Sequence, residues 1–89
     1  MIASFRDSDT ELLWRTGKSR RIPANLRRVA ARKLAILNAV VALDNLNNHL
    51  EALIKDRKGQ HSIRINNQYR ICLVWRQANA HDVEIVDYH

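Results

Sequence analysis

A single cysteine, Cys72, among 89 residues excludes an internal disulfide. Its place in the apolar run "ICLVW" suggests a reduced core thiol, as expected of a cytoplasmic protein. No apolar run approaches the roughly 20 residues that cross a bilayer. Residues 1–20 mix charged with apolar positions and do not resemble a secretory signal. Repeats and low-complexity segments are missing, and the chain is too short for a second core. One domain over residues 1–89 is therefore expected. No P-loop is present, and His49, His61, His81 and His89 lack the short His/Cys spacings of a zinc site. No cofactor or metal is expected. Acidic residues are scarce, with nine Asp and Glu against fifteen Lys and Arg, a formal net charge of +6. On so small a body that field favours anionic partners, nucleic acid first. A protein that is merely basic, or is neutralised by an acidic partner, is the other reading.

What is present points to an α+β domain. "MIASF" has strand character. "SDTE", residues 8–11, fits a capping box in which Ser8 and Glu11 cover free backbone amides. A short helix should follow and end at Gly17, then a basic loop "KSRRIP", with Pro23 in the first turn of a second helix. Leu26, Val29, Ala30, Leu34, Leu37, Val40 and Val41 recur at helical spacing, which predicts a helix over residues 24–43. Arg27, Arg28, Arg32 and Lys33 crowd its first half, as a solvated face or as a contact with RNA. "DNLNNHLEALIKDRKGQ" reads as an irregular connector anchored by Leu46, Leu50 and Leu53. From Gln60 the period becomes two, and "HSIRIN", "YRICLVW" and "DVEIVDY" predict a three-strand meander. One layer of helices on one sheet, with the early strand paired in, is the simplest architecture.

The register of the first hairpin has a chemical consequence. A two-residue loop would set Ile63 opposite Arg70 and mix the faces. A three-residue loop, residues 66–68, sets Ile63 opposite Ile71, Ile65 opposite Tyr69 and Arg64 opposite Arg70, keeping one face apolar. Asn tolerates the left-handed geometry such loops usually need. The two guanidinium groups then repel as cross-strand neighbours unless an anion or carboxylate lies between them. A phosphate suits arginine's bidentate geometry. Separate pairing with Glu51, Asp87 or Glu84 is the alternative. Asp87, Tyr88 and His89 follow on the last strand: a proton donor, a ring for stacking and an orienting carboxylate, or an idle tail.

"DRKGQHSIRINNQYRICLVW" followed by "VEIVDYH" resembles the HigB branch of the RelE-like toxins. The opening "MIASF", the "TGKSRRIP" loop and the "VAARKLAILNAV" helix extend the likeness over almost the whole chain. The resemblance implies a RelE-like fold, two N-terminal helices packed on a small curved, mostly antiparallel sheet. It implies the toxin of a type II toxin–antitoxin pair, a metal-independent endoribonuclease that enters the ribosomal A site and cuts mRNA. The partner it implies is a HigA-like helix-turn-helix antitoxin, through which alone the complex touches operator DNA. No membrane partner is implied.

Residue by residue, Arg70 matches the strand arginine at the scissile phosphate and Arg64 a second arginine of some branches. Asp87, Tyr88 and His89 match the terminal active-site cluster. Glu51 and Ile54 stand where some relatives carry His and Lys, and Lys55 is one position away. Another branch uses a Glu in this region as a base. On this reading Arg70, His89, Tyr88, Asp87 and Glu51 are the expected catalytic residues. Arg64, Lys55, Arg57, Lys58, Arg20 and Arg21 are expected to bind RNA. Two rivals remain: a toxin of this fold that binds DNA gyrase without cutting RNA, and a degenerate toxin that only binds its antitoxin.

Overall fold

The computed structural model describes residues 1–40 and 60–87 in full and residues 53–57 as backbone. Two helices, α1 (Ser8–Thr16) and α2 (Ala24–Ala39), precede four strands: β1 (Leu53–Arg57), β2 (Gln60–Arg64), β3 (Tyr69–Arg76) and β4 (Asn79–Asp87). The strands lie in the order β1-β2-β3-β4, each antiparallel to its neighbour. Leu13 of α1 and Ala30, Leu34 and Leu37 of α2 share one core with Ile63, Ile71, Leu73, Val83 and Ile85. The helices thus cover one face of the sheet, the expected α+β architecture. No described helix is long and apolar enough to cross a membrane.

The early segment does pair in, on the outer edge of β4 and parallel to it. Bridges join Ile2 to Ala80 and Phe5 to Val83. Ala3 donates to the Ala80 carbonyl at 2.7 Å and Arg6 to the Val83 carbonyl at 3.0 Å. Ala80 and Val83 are three residues apart because a bulge intervenes, with Asp82 at φ +51°. The apolar positions of β2 and β3 fall on the helix face as the period of two requires: Ile63, Ile71 and Leu73 are at most 2% exposed.

Several local expectations need correction. Asp7 occupies the N-cap of α1 and makes no side-chain capping bond. Glu11 turns instead to Arg15 one turn on, at 2.7 Å, where opposite charges meet at i,i+4 spacing. Pro23 is the N-cap residue of α2 rather than part of its first turn, and the helix ends at Ala39 with Val40 extended. Part of the expected irregular connector is strand: β1 pairs with β2, Leu53 opposite Ile63 and Lys55 opposite His61. The anchors Leu46 and Leu50 lie outside the described residues. Cys72 is half-buried on the face away from the helices, not a core thiol, because strand alternation opposes it to Leu73. Gly17 ends α1 as expected, at φ +76°, its amide bonded to the Leu13 carbonyl.

Candidate active site

The β2–β3 hairpin adopts the three-residue loop, and Asn66 explains why. Its side-chain oxygen accepts from the amides of Gln68 at 2.8 Å and Tyr69 at 2.7 Å. The Ile65 amide donates to the Tyr69 carbonyl at 3.0 Å. None of residues 66–68 has a positive φ, so the asparagine acts through its side chain and not through left-handed backbone. This loop sets Ile63 opposite Ile71 and Arg64 opposite Arg70.

Both arginines therefore stand on the sheet face that the helices leave open. Arg64 is exposed and Arg70 half-buried. The Arg64 guanidinium is held by the loop it precedes, through the Asn66 carbonyl at 3.3 Å and the Asn67 side-chain oxygen. Lys33 of α2 donates to the Arg64 carbonyl and fixes the strand end from the other side. Arg70 donates from Nη1 to Ser62 Oγ at 3.1 Å. Of the carboxylates that the alternative reading pairs separately with these arginines, Glu84 is engaged by Arg6 at 3.3 Å. Asp87 accepts from Gln68 Nε2 at 3.1 Å.

The last strand runs beside this pair. Val86 is opposite Arg70 and Asp87 is opposite Tyr69. Alternation thus places Asp87 on the Tyr69 side of the sheet, facing a cleft lined by Arg21, Ile22, Tyr69 and Ile85. The structure joins Arg64 with Arg70 on one face and sets Asp87 at the same end on the other. Lys55 and Arg57 belong to β1, at positions opposite His61 and Gln60. Glu51, Lys58, Tyr88 and His89 lie outside the described residues.

The two loop arginines differ from each other. Arg20 is exposed. Arg21 is tied down: Nη2 meets Asp7 Oδ2 at 2.7 Å, Nε meets Asp9 Oδ2 at 3.2 Å, and Nη2 also donates to the Ile85 carbonyl at 3.1 Å. The roles of Ser62 and Gln68 are not indicated by the local sequence pattern, and Lys33, a solvated-face or RNA candidate by sequence, bonds instead to the Arg64 carbonyl. Ser62 alone had a usable signal, since the register that pairs Arg64 with Arg70 also puts Ser62 on the arginine face. Among the described residues, no group of three or more His, Cys, Asp or Glu side chains is arranged to hold a metal ion.

Chemically, two arginines at directly opposed positions on one sheet face, one held toward the loop and the other toward Ser62, offer donors for an oxyanion with charge spread over several oxygens. A family model described as "RelE-like toxin of type II toxin-antitoxin system HigB" matches residues 3–89. The chain belongs to this HigB-like toxin family. Toxin HigB-1 of Vibrio cholerae serotype O1 is 36% identical over 80 residues, covering 84% of each chain. An uncharacterised protein of Haemophilus influenzae is also 36% identical over 80 residues, covering 84% of this chain and 77% of the relative. As a RelE-like toxin of a type II system, this HigB-like chain has an antitoxin partner.

Proposed function

We propose that this HigB-like toxin is a metal-independent endoribonuclease that cuts mRNA in the ribosomal A site and is neutralised by a HigA-like helix-turn-helix antitoxin. The observation that carries the reading is the Arg64–Arg70 pair, two like charges at cross-strand positions on the sheet face away from α1 and α2. Such a pair is unfavourable for folding and favourable for binding a phosphate. Family membership supplies the class of reaction.

The cleavage needs no external nucleophile. The ribose 2′-hydroxyl attacks the adjacent phosphorus, its proton passes to a base, and the bond to the 5′-oxygen breaks as that oxygen gains a proton. A 2′,3′-cyclic phosphate and a 5′-hydroxyl result. Arg70, held by Ser62, stabilises the charge on the phosphorane oxygens, and Arg64 assists. His89 is the acid for the leaving oxygen and Glu51 the base. Asp87 orients the imidazole, and Tyr88 stacks on or orients the nucleotide. Each proton transfer contributes typically about 10²–10⁴-fold, so the rate is shared among them.

Lys18, Arg20, Arg28 and Arg32 are exposed and would contact ribosomal phosphates, and Lys55, Arg57 and Lys58 are further candidates for RNA binding. Operator DNA is reached only through the antitoxin. The test is induced expression together with cleavage of mRNA on programmed ribosomes. Toxicity with mRNA cut in the A site supports the reading. Growth arrest with intact mRNA would transfer it to a target other than RNA, and absence of toxicity would make the chain an antitoxin ligand only.

A further inference from the structure

The outer edge of β4 is covered from Ala80 to Ile85, though not by strand throughout. The N-terminal segment pairs with it at Ala80 and Val83 and then turns away into α1. The next residue whose backbone faces outward is Ile85, and both its polar groups are satisfied by side chains. Its amide donates to Thr10 Oγ1 at 3.0 Å, and its carbonyl accepts from Arg21 Nη2 at 3.1 Å. Thr10 is 1% exposed, an unusual place for a hydroxyl on an amphipathic helix. Arg21 is held in turn by Asp7 and Asp9 at the start of α1.

We propose that Thr10 and Arg21 act as positioning residues, taking the place of a neighbour strand at Ile85 and fixing the end of β4 that flanks Arg70. The role rests on the activity proposed above. An edge strand without partners frays at its tip. Val86, next to Ile85, pairs with Arg70, so fraying here would release the strand that flanks Arg70. Displacement of about 1 Å at a catalytic group can cost about 10²-fold in rate. The fork geometry of arginine matters because one guanidinium serves two carboxylates and a carbonyl at once. Lysine keeps the charge and cannot reproduce that arrangement.

Arg21→Lys and Thr10→Val separate this role from a simple charge effect. The exchange rates of the amides of residues 85–87 are measured in the free protein, with those of Ile71 and Leu73 as internal references. Cleavage kinetics are measured on programmed ribosomes. Both variants should speed exchange at the strand end about tenfold or more with little change in β3. Arg21→Lys should lower kcat about tenfold or more while KM stays within about threefold, because binding charge is kept and alignment is lost. Wild-type exchange and kcat in Arg21→Lys would overturn the proposal. So would a raised KM with normal kcat in Arg21→Met, which would make Arg21 a direct RNA contact. Should the unmodified toxin cut no RNA, the activity reading fails and the catalytic half of the proposal with it. The exchange rates then decide by themselves whether the side chains hold the strand.

Discussion

Replacing Arg70 by methionine should separate activity from stability by orders of magnitude. Methionine keeps most of the apolar stem of a half-buried side chain, so the packing loss is small. The lost bond to Ser62 Oγ costs about 0.5–1.5 kcal/mol. Relief of the repulsion with Arg64 returns about 0.2–1 kcal/mol. From these two terms the net destabilisation is on the order of 1 kcal/mol, a fall in Tm of about 4–8 °C for a chain of this size. The chemical effect is far larger. Removing one preorganised donor from a developing oxyanion costs about 10²–10³-fold in rate. Thermal melts and single-turnover cleavage on programmed ribosomes read the two quantities separately. A folded Arg70→Met variant that cuts mRNA within about threefold of the wild-type rate would refute the placement of the phosphate. A collapse in stability would instead make Arg70 a structural residue.

Three further outcomes are expected. His89→Ala should lower cleavage by about 10²-fold or more with an unchanged Tm, the signature of a proton-transfer group, measured by the same two assays. Ribosome binding by a chain of net charge +6 should weaken steeply as salt rises from low to moderate concentration, which equilibrium sedimentation at several salt concentrations would show. Gly17→Ala should cost about 1–2 kcal/mol from backbone strain alone. The residue sits at φ +76° and an added Cβ would meet nothing within 4 Å, so a denaturant titration isolates the conformational effect.

The sheet was largely legible in the sequence because a face that must stay apolar admits only one register. "HSIRIN" and "YRICLVW" therefore place Arg64 opposite Arg70, as the structure does. β1 escaped because "LIKDR" lacks alternation and becomes strand only by pairing with β2. The Ser8 capping box failed for a related reason: Glu11 had a nearer partner in Arg15, and Asp7 was drawn to Arg21. The apolar neighbours of Cys72 suggest a core thiol, while strand alternation puts it on the Arg70 face beside Ser62 and Glu84, where the structure has it. Least legible were Thr10 and Arg21. Both bond to Ile85, 75 and 64 residues away in sequence, and no local pattern reveals such a contact. A basic loop looks alike whether its arginines face RNA or the protein's own carboxylates.

The central claim is that the 2′-hydroxyl of the mRNA attacks the neighbouring phosphate beside Arg64 and Arg70. The most direct test is a ribosome programmed with mRNA carrying a single 2′-deoxy nucleotide at the cleavage position. Binding of the toxin should persist and cleavage there should vanish, while the all-ribose control yields a 2′,3′-cyclic phosphate and a 5′-hydroxyl. Cleavage at the deoxy position, or products ending in a 5′-phosphate, would contradict the account.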